Sequence, residues 1–176
     1  MNGKVFVIAL LGTPLIVGAS IYYLQVYGFY DTVEPTGPKD VQLVLALDGV
    51  TEPVPHSEFQ AIDGSSSPIR YRACFTTPVG LEEARATYVA APEALPRNAP
   101  SWFDCFDAAA IGAELEAGTA TTFLSQKNIS YGVDRVVAIT QDGRGYIWHT
   151  LNNCGETDYT GTVVGETCPP RPAQDE

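Results

Sequence analysis

Residues 5–30 form an uninterrupted run without a charged side chain. About 20 mostly apolar residues cross a hydrocarbon core of roughly 30 Å, so residues 5–29 predict a transmembrane helix with length to spare. Pro14 interrupts the run, which a membrane helix tolerates as a mild kink. The pattern then changes. Residues 31–40 (DTVEPTGPKD) hold two prolines and a glycine among charges and read as a short, stiff linker. Residues 41–47 (VQLVLAL) have the length of a buried strand, which Asp48-Gly49 ends in a turn. Residues 58–62 suggest a short strand, and 63–68 (DGSSSP) a loop. In 69–75 (IRYRACF) the alternation is strict: Ile69, Tyr71, Ala73 and Phe75 share one face, and Arg70, Arg72 and Cys74 the other.

Helical spacing follows. Thr77 suits an N-cap with Pro78 at the first position, and Leu81, Ala84 and Tyr88 make one stripe that Pro92 and Pro96 close. A second helix is predicted from Asp104 or Asp107 to Ala117, with Gly118 after its last turn. Residues 134–151 predict a hairpin about Gln141-Asp142-Gly143-Arg144. A two-residue type I′ turn there sets Ile139 opposite Tyr146, Val137 opposite Trp148 and Val136 opposite His149. Both faces of that hairpin are largely apolar, so it belongs at the centre of a sheet covered on both sides. The expected fold is α+β: an antiparallel sheet with two main helices, disulfide-stapled, preceded by one N-terminal transmembrane helix. The divisions expected are 1–30 signal-anchor, 31–40 linker, 41–168 α+β domain and 169–176 disordered tail.

Charge orients the anchor. Lys4 and the amino terminus are the positive groups before it, which keeps the N-terminus cytoplasmic. Tyr22, Tyr23, Tyr27, Phe29 and Tyr30 crowd the far end as an aromatic belt, with Asp31 and Glu34 beyond. The competing reading is a cleaved secretory signal with Val17-Gly18-Ala19 as its site. The apolar run continues about ten residues past that site, which favours retention. All 21 acidic residues but only 9 of the 10 basic ones lie beyond residue 30, a net charge of −12. Such a surface disfavours nucleic acid and anionic lipid, and would suit a basic soluble partner.

Cys74, Cys105, Cys154 and Cys168 all follow the anchor. Four cysteines in an oxidising compartment imply two disulfides, with three pairings open from sequence. Proximity along the chain favours Cys74–Cys105 and Cys154–Cys168. A metal site has less support, since no C-x-x-C is present and His56 and His149 are the two histidines.

No nucleophile elbow, phosphate loop, zinc-protease helix, calcium loop or haem-attachment motif occurs. No catalytic residue or cofactor is therefore assigned, and an enzyme is the less favoured reading. Three features remain as candidate chemistry. Arg70 and Arg72, about 7 Å apart on one strand face, could clamp a carboxylate or phosphate, although pairing with nearby acids is the ordinary fate of such residues. His149 could act as a base near neutral pH, but a strand histidine is more often a bonded core residue. Asp104 and Asp107, among Trp102, Phe103 and Phe106, could serve acid–base hydrolysis or start a helix; capping is the simpler role.

The anchor end Tyr22-Tyr23-Leu24-Gln25-Val26-Tyr27, with Phe59-Gln60-Ala61-Ile62-Asp63 and the segment from Ser66 to Phe75, resembles a family of short single-pass membrane proteins of alphaproteobacteria. The match continues through Trp102-Phe103-Asp104-Cys105-Phe106-Asp107, Tyr131 to Ala138, and Asp142-Gly143-Arg144-Gly145-Tyr146. No function is assigned to that family, so no active site transfers. The resemblance implies a Gram-negative host, hence an inner-membrane anchor and a periplasmic domain. The expected role is a non-catalytic interaction module, an accessory or assembly subunit of an inner-membrane complex, with another inner-membrane or periplasmic protein as partner. The alternative is a small anionic-ligand binder or weakly marked enzyme using Arg70, Arg72 and His149.

Overall fold

The computed structural model describes residues 3–170, so residues 171–176 of the expected tail lie outside it. Helix α1 (Gly3–Tyr23) contains Pro14 and runs into one π-helical turn (Leu24–Gly28). Neither contains a fully buried side chain, and together they are long and apolar enough to cross a membrane.

Strand β1 (Asp31–Val33) begins two residues after Phe29 and pairs with β4 (Ser57–Asp63). The first third of the segment expected to be linker is therefore an edge strand. Its three residues are too short to show an alternating pattern. Strands β2 (Gln42–Val44) and β3 (Thr51–Pro53) form a separate ribbon. The apolar run 41–47 is thus strand only at its centre; Leu45 bridges to Tyr88, and Ala46–Asp48 turn.

β5 (Arg72–Thr76), β6 (Ala120–Ser130), β7 (Val133–Thr140) and β8 (Arg144–Leu151) complete a six-stranded antiparallel sheet in the order β1-β4-β5-β8-β7-β6. The hairpin β7–β8 is interior, as its two apolar faces require. Its register differs from expectation by one residue. Ile139 lies opposite Gly145, Ala138 opposite Tyr146, Val137 opposite Ile147, Val136 opposite Trp148 and Arg135 opposite His149. The cause is a three-residue loop, Gln141–Gly143, with Gly143 at φ +83° and its N–H bonded to the Thr140 carbonyl. Such a loop ends in a left-handed glycine and adds one residue to the two-residue turn. Gly145 has its own reason to be glycine: a Cβ there would come within 2.1 Å of the Phe75 ring that lies across it.

Helix α2 (Leu81–Thr87) starts three residues later than Pro78. The Thr77 hydroxyl instead donates to the Pro55 carbonyl and accepts from Val79 N–H, so it fastens a loop. Helix α3 (Ala108–Glu116) begins at Asp107, whose carboxylate accepts from the N–H groups of Ala109 and Ala110. Capping is thus the role Asp107 fills.

The sheet has a core on each face. Ala73, Phe75, Val137, Ile139 and Ile147 meet Val41, Leu43, Leu81 and Tyr88 on one side. Cys74, Val136, Ala138, Tyr146 and Trp148 meet Phe103, Phe106 and Ile111 on the other. Two disulfides, Cys74–Cys105 and Cys154–Cys168, join the pairs that lie nearest in sequence.

Candidate functional site

Arg70, Arg72 and His149 do not converge on one cleft. Arg70 precedes β5 rather than lying on it, so the two arginines do not share a strand face. The Arg70 guanidinium sits over the rings of Tyr30 and Phe29, 5.3 and 5.9 Å from their centroids. Arg72 is 3% exposed. It donates to four carbonyls, those of Ile69, Tyr71, Arg97 and Asn98, with its guanidinium 5.6 Å over Phe106. The acidic partners expected for the two are absent: neither forms an ion pair among the described residues. Backbone carbonyls and aromatic faces supply the negative potential instead. Arg72 fastens the segment before α3 to the sheet.

His149 is 5% exposed and stacked on Tyr71 at 4.9 Å. Arg135 Nε donates to His149 Nε2 at 3.0 Å, and His149 Nδ1 lies 2.6 Å from the Pro68 carbonyl. Since arginine can only donate, Nε2 is the acceptor and the proton resides on Nδ1. Burial pushes His149 down to about 4, aided by the Arg135 charge and only partly opposed by the Pro68 bond. Its lone pair is occupied, so the imidazole is a structural link between β8, β7 and the 64–70 loop. Arg135 completes the stack, 4.4 Å over the Tyr71 ring, and burial raises the Tyr71 phenol to about 12. Arg135 was not singled out by sequence because the expected register set Val136 opposite His149. A basic residue beside Asp134 at the start of an otherwise apolar strand was the available signal.

A concave feature lies elsewhere, beside the second sheet face. A cavity of about 600 Å³ opens between residues 89–94 and the Cys154–Cys168 loop. Its walls are apolar, with Ala90, Ala91, Pro92 and Ala94 on one side and Leu124, Val136 and Leu151 on the other. One end is polar. Lys127 pairs with Asp134 at 3.0 Å and with Glu166. Asp134, 6% exposed, also accepts from Asn128 N–H and from the Asn152 amide. Partial burial would depress Lys127, but the Glu166 and Asp134 carboxylates outweigh it and raise its pKa. Two register shifts in β6 and a left-handed Asn128 (φ +47°) bend the strand around this cluster. The groove has a cation fully engaged and no grouping of metal-ligating side chains among the described residues. What it offers is an apolar trough with a fixed polar end.

The N-terminal helix is built into the domain at its far end. Trp102 Nε1 donates to the Val26 carbonyl at 2.7 Å. Tyr27 stacks on the same indole at 6.3 Å, Tyr30 meets it edge-on at 6.2 Å, and Tyr23 stacks on Tyr27. Val26 lies in the last helical turn, where carbonyls lack helical partners, and Trp102 takes its carbonyl.

One family model matches residues 41–169, that of a family of unknown function, DUF6446. No curated protein and no solved structure matches the chain.

Proposed function

We propose that this chain, which belongs to the DUF6446 family of unknown function, is a non-catalytic interaction module held against the bacterial inner membrane. Its N-terminus is cytoplasmic and its domain periplasmic, and it serves as an accessory or assembly subunit of an inner-membrane complex. The carrying observation is the junction of Val26, Tyr27 and Tyr30 with Trp102, which seats the domain on its own helix rather than on a free tether. A detached enzyme gains nothing from such seating, whereas a subunit that must meet a membrane neighbour in one orientation does. Two disulfides agree with an oxidising compartment. The apolar groove beside Lys127 supplies a concave surface for that neighbour.

Extraction of the native membrane in mild detergent, followed by native electrophoresis, tests the reading. The chain is expected to migrate well above its own 18.9 kDa together with other polypeptides. Migration as a free monomer in every mild detergent overturns it.

A further inference from the structure

We propose that the disulfide-closed loop Cys154–Cys168 is a second membrane contact, resting with Tyr159, Val163 and Val164 in the lipid headgroup layer of the bilayer that holds α1. The proposal rests on the anchored reading above and specifies which surface of the domain meets that bilayer.

Strand register carries it. Thr32 lies opposite Ile62, Ile62 opposite Arg72, and Arg72 opposite Trp148, so Thr32 and Trp148 stand at one level across the sheet. β1 leaves the anchor and β8 runs back toward it, because three antiparallel pairings separate them. Leu151, three residues beyond Trp148, therefore lies toward the end of the sheet at which the N-terminal helix enters β1. The two strands are three positions apart, or about 15 Å, within one domain's footprint on the bilayer. Everything after Leu151 continues from the end of the sheet at which α1 emerges.

That continuation holds three large apolar side chains out to solvent. Tyr159 is fully exposed, Val163 is 62% exposed, and Val164 and Leu151 are 59% exposed. Single exposed apolar residues are ordinary, but a cluster on one loop marks a contact surface. The loop is also stiff. Asp158 accepts from Thr160 N–H, the Thr160 hydroxyl and Thr162 N–H, Thr157 bridges Val163, and the disulfide closes the base. A tip so held loses little freedom on contact. Two of its three charges are accounted for within the loop or its neighbours: Asp158 caps its own turn and Glu166 pairs with Lys127. Tyrosine favours the headgroup level, where ring and hydroxyl find different solvents, as with Tyr22, Tyr23 and Tyr27 of the anchor. The remaining acidity of Glu156 sets the depth at the headgroups and favours zwitterionic over anionic lipid.

The test uses the full-length chain in phosphatidylethanolamine–phosphatidylcholine vesicles, with and without lipids brominated near the headgroup. Tyr159→Trp adds an indole at the tip, and Gln141→Trp adds one at the opposite end of the sheet. The emission added by Tyr159→Trp should be blue-shifted and lost on bromination, and that added by Gln141→Trp should be neither. Quenching should weaken when phosphatidylglycerol replaces the zwitterionic lipid. Release of the chain by alkaline carbonate would remove the anchored reading together with this one. A chain that resists carbonate while the Tyr159→Trp emission is unquenched, or is quenched no more than that of Gln141→Trp, overturns this inference alone. In the first of those cases a protein partner is the remaining occupant of the loop.

Discussion

His149 holds its place as a neutral ring, and that has a pH signature. Its folded value is about 4 against 6.5 for the free side chain, so the unfolded chain binds the extra proton between those limits. Stability from this group is complete above about pH 6.5 and declines as pH falls toward 4. The full loss is roughly 3–4 kcal/mol, since each pH unit of displacement is worth about 1.4 kcal/mol. Urea unfolding of the detergent-solubilised chain from pH 4 to 7 should show that decline, and His149→Gln should abolish most of it. An unchanged slope in the variant would assign the acid sensitivity to the carboxylates. At this scale the sequence was half legible. The alternation of 71–75 correctly divides Tyr71, Ala73 and Phe75 from Arg72 and Cys74, because period-two burial leaves a direct imprint on residue choice. The partner of His149 was hidden by one extra residue in a turn, which moves every pairing along the hairpin.

Among elements, the junction of anchor and sheet depends on an indole that no local pattern announced. Trp102→Phe keeps a ring against Tyr27 and Tyr30 but removes the donor to the Val26 carbonyl. Amide hydrogen exchange is expected to quicken over residues 24–33 and to stay slow in β7 and β8, since the lost bond lies outside both cores. Equal quickening throughout would instead make Trp102 a core residue. The long N-terminal helix was plain from its apolar run and the hairpin from its paired apolar runs. β1 was not, since Asp31–Val33 is edge strand by virtue of its neighbour β4 rather than its own composition. The start of α2 was misplaced for a similar reason: Thr77 has capping chemistry, but Pro55, distant in sequence, engages its hydroxyl.

Over the whole molecule the two disulfides do unequal work. Cys74–Cys105 spans 31 residues and pins the segment before α3 onto the buried second face. Loop closure of that length constrains the unfolded chain by roughly 3–4 kcal/mol. The double substitution Cys74→Ser with Cys105→Ser should therefore lower Tm by on the order of 10 °C. Cys154–Cys168 closes a mostly exposed loop outside both cores; without the bond its tip keeps the Asp158 turn but its base loosens in the native state too, so both states gain freedom. Its double serine variant should shift Tm far less, while exposing residues 155–167 to proteolysis. Equal shifts in thermal melts of the two variants would contradict this division.

Only Phe29 and Tyr30 separate the π-turn from β1, a stretch that spans at most about 7 Å when extended. With Trp102 locking its base, the domain has almost no swing of its own and turns as its helix turns. In the anchored arrangement proposed above, encounters are confined to lateral diffusion in two dimensions at a fixed height above the bilayer. A neighbour whose docking face stands much higher is out of reach at any concentration.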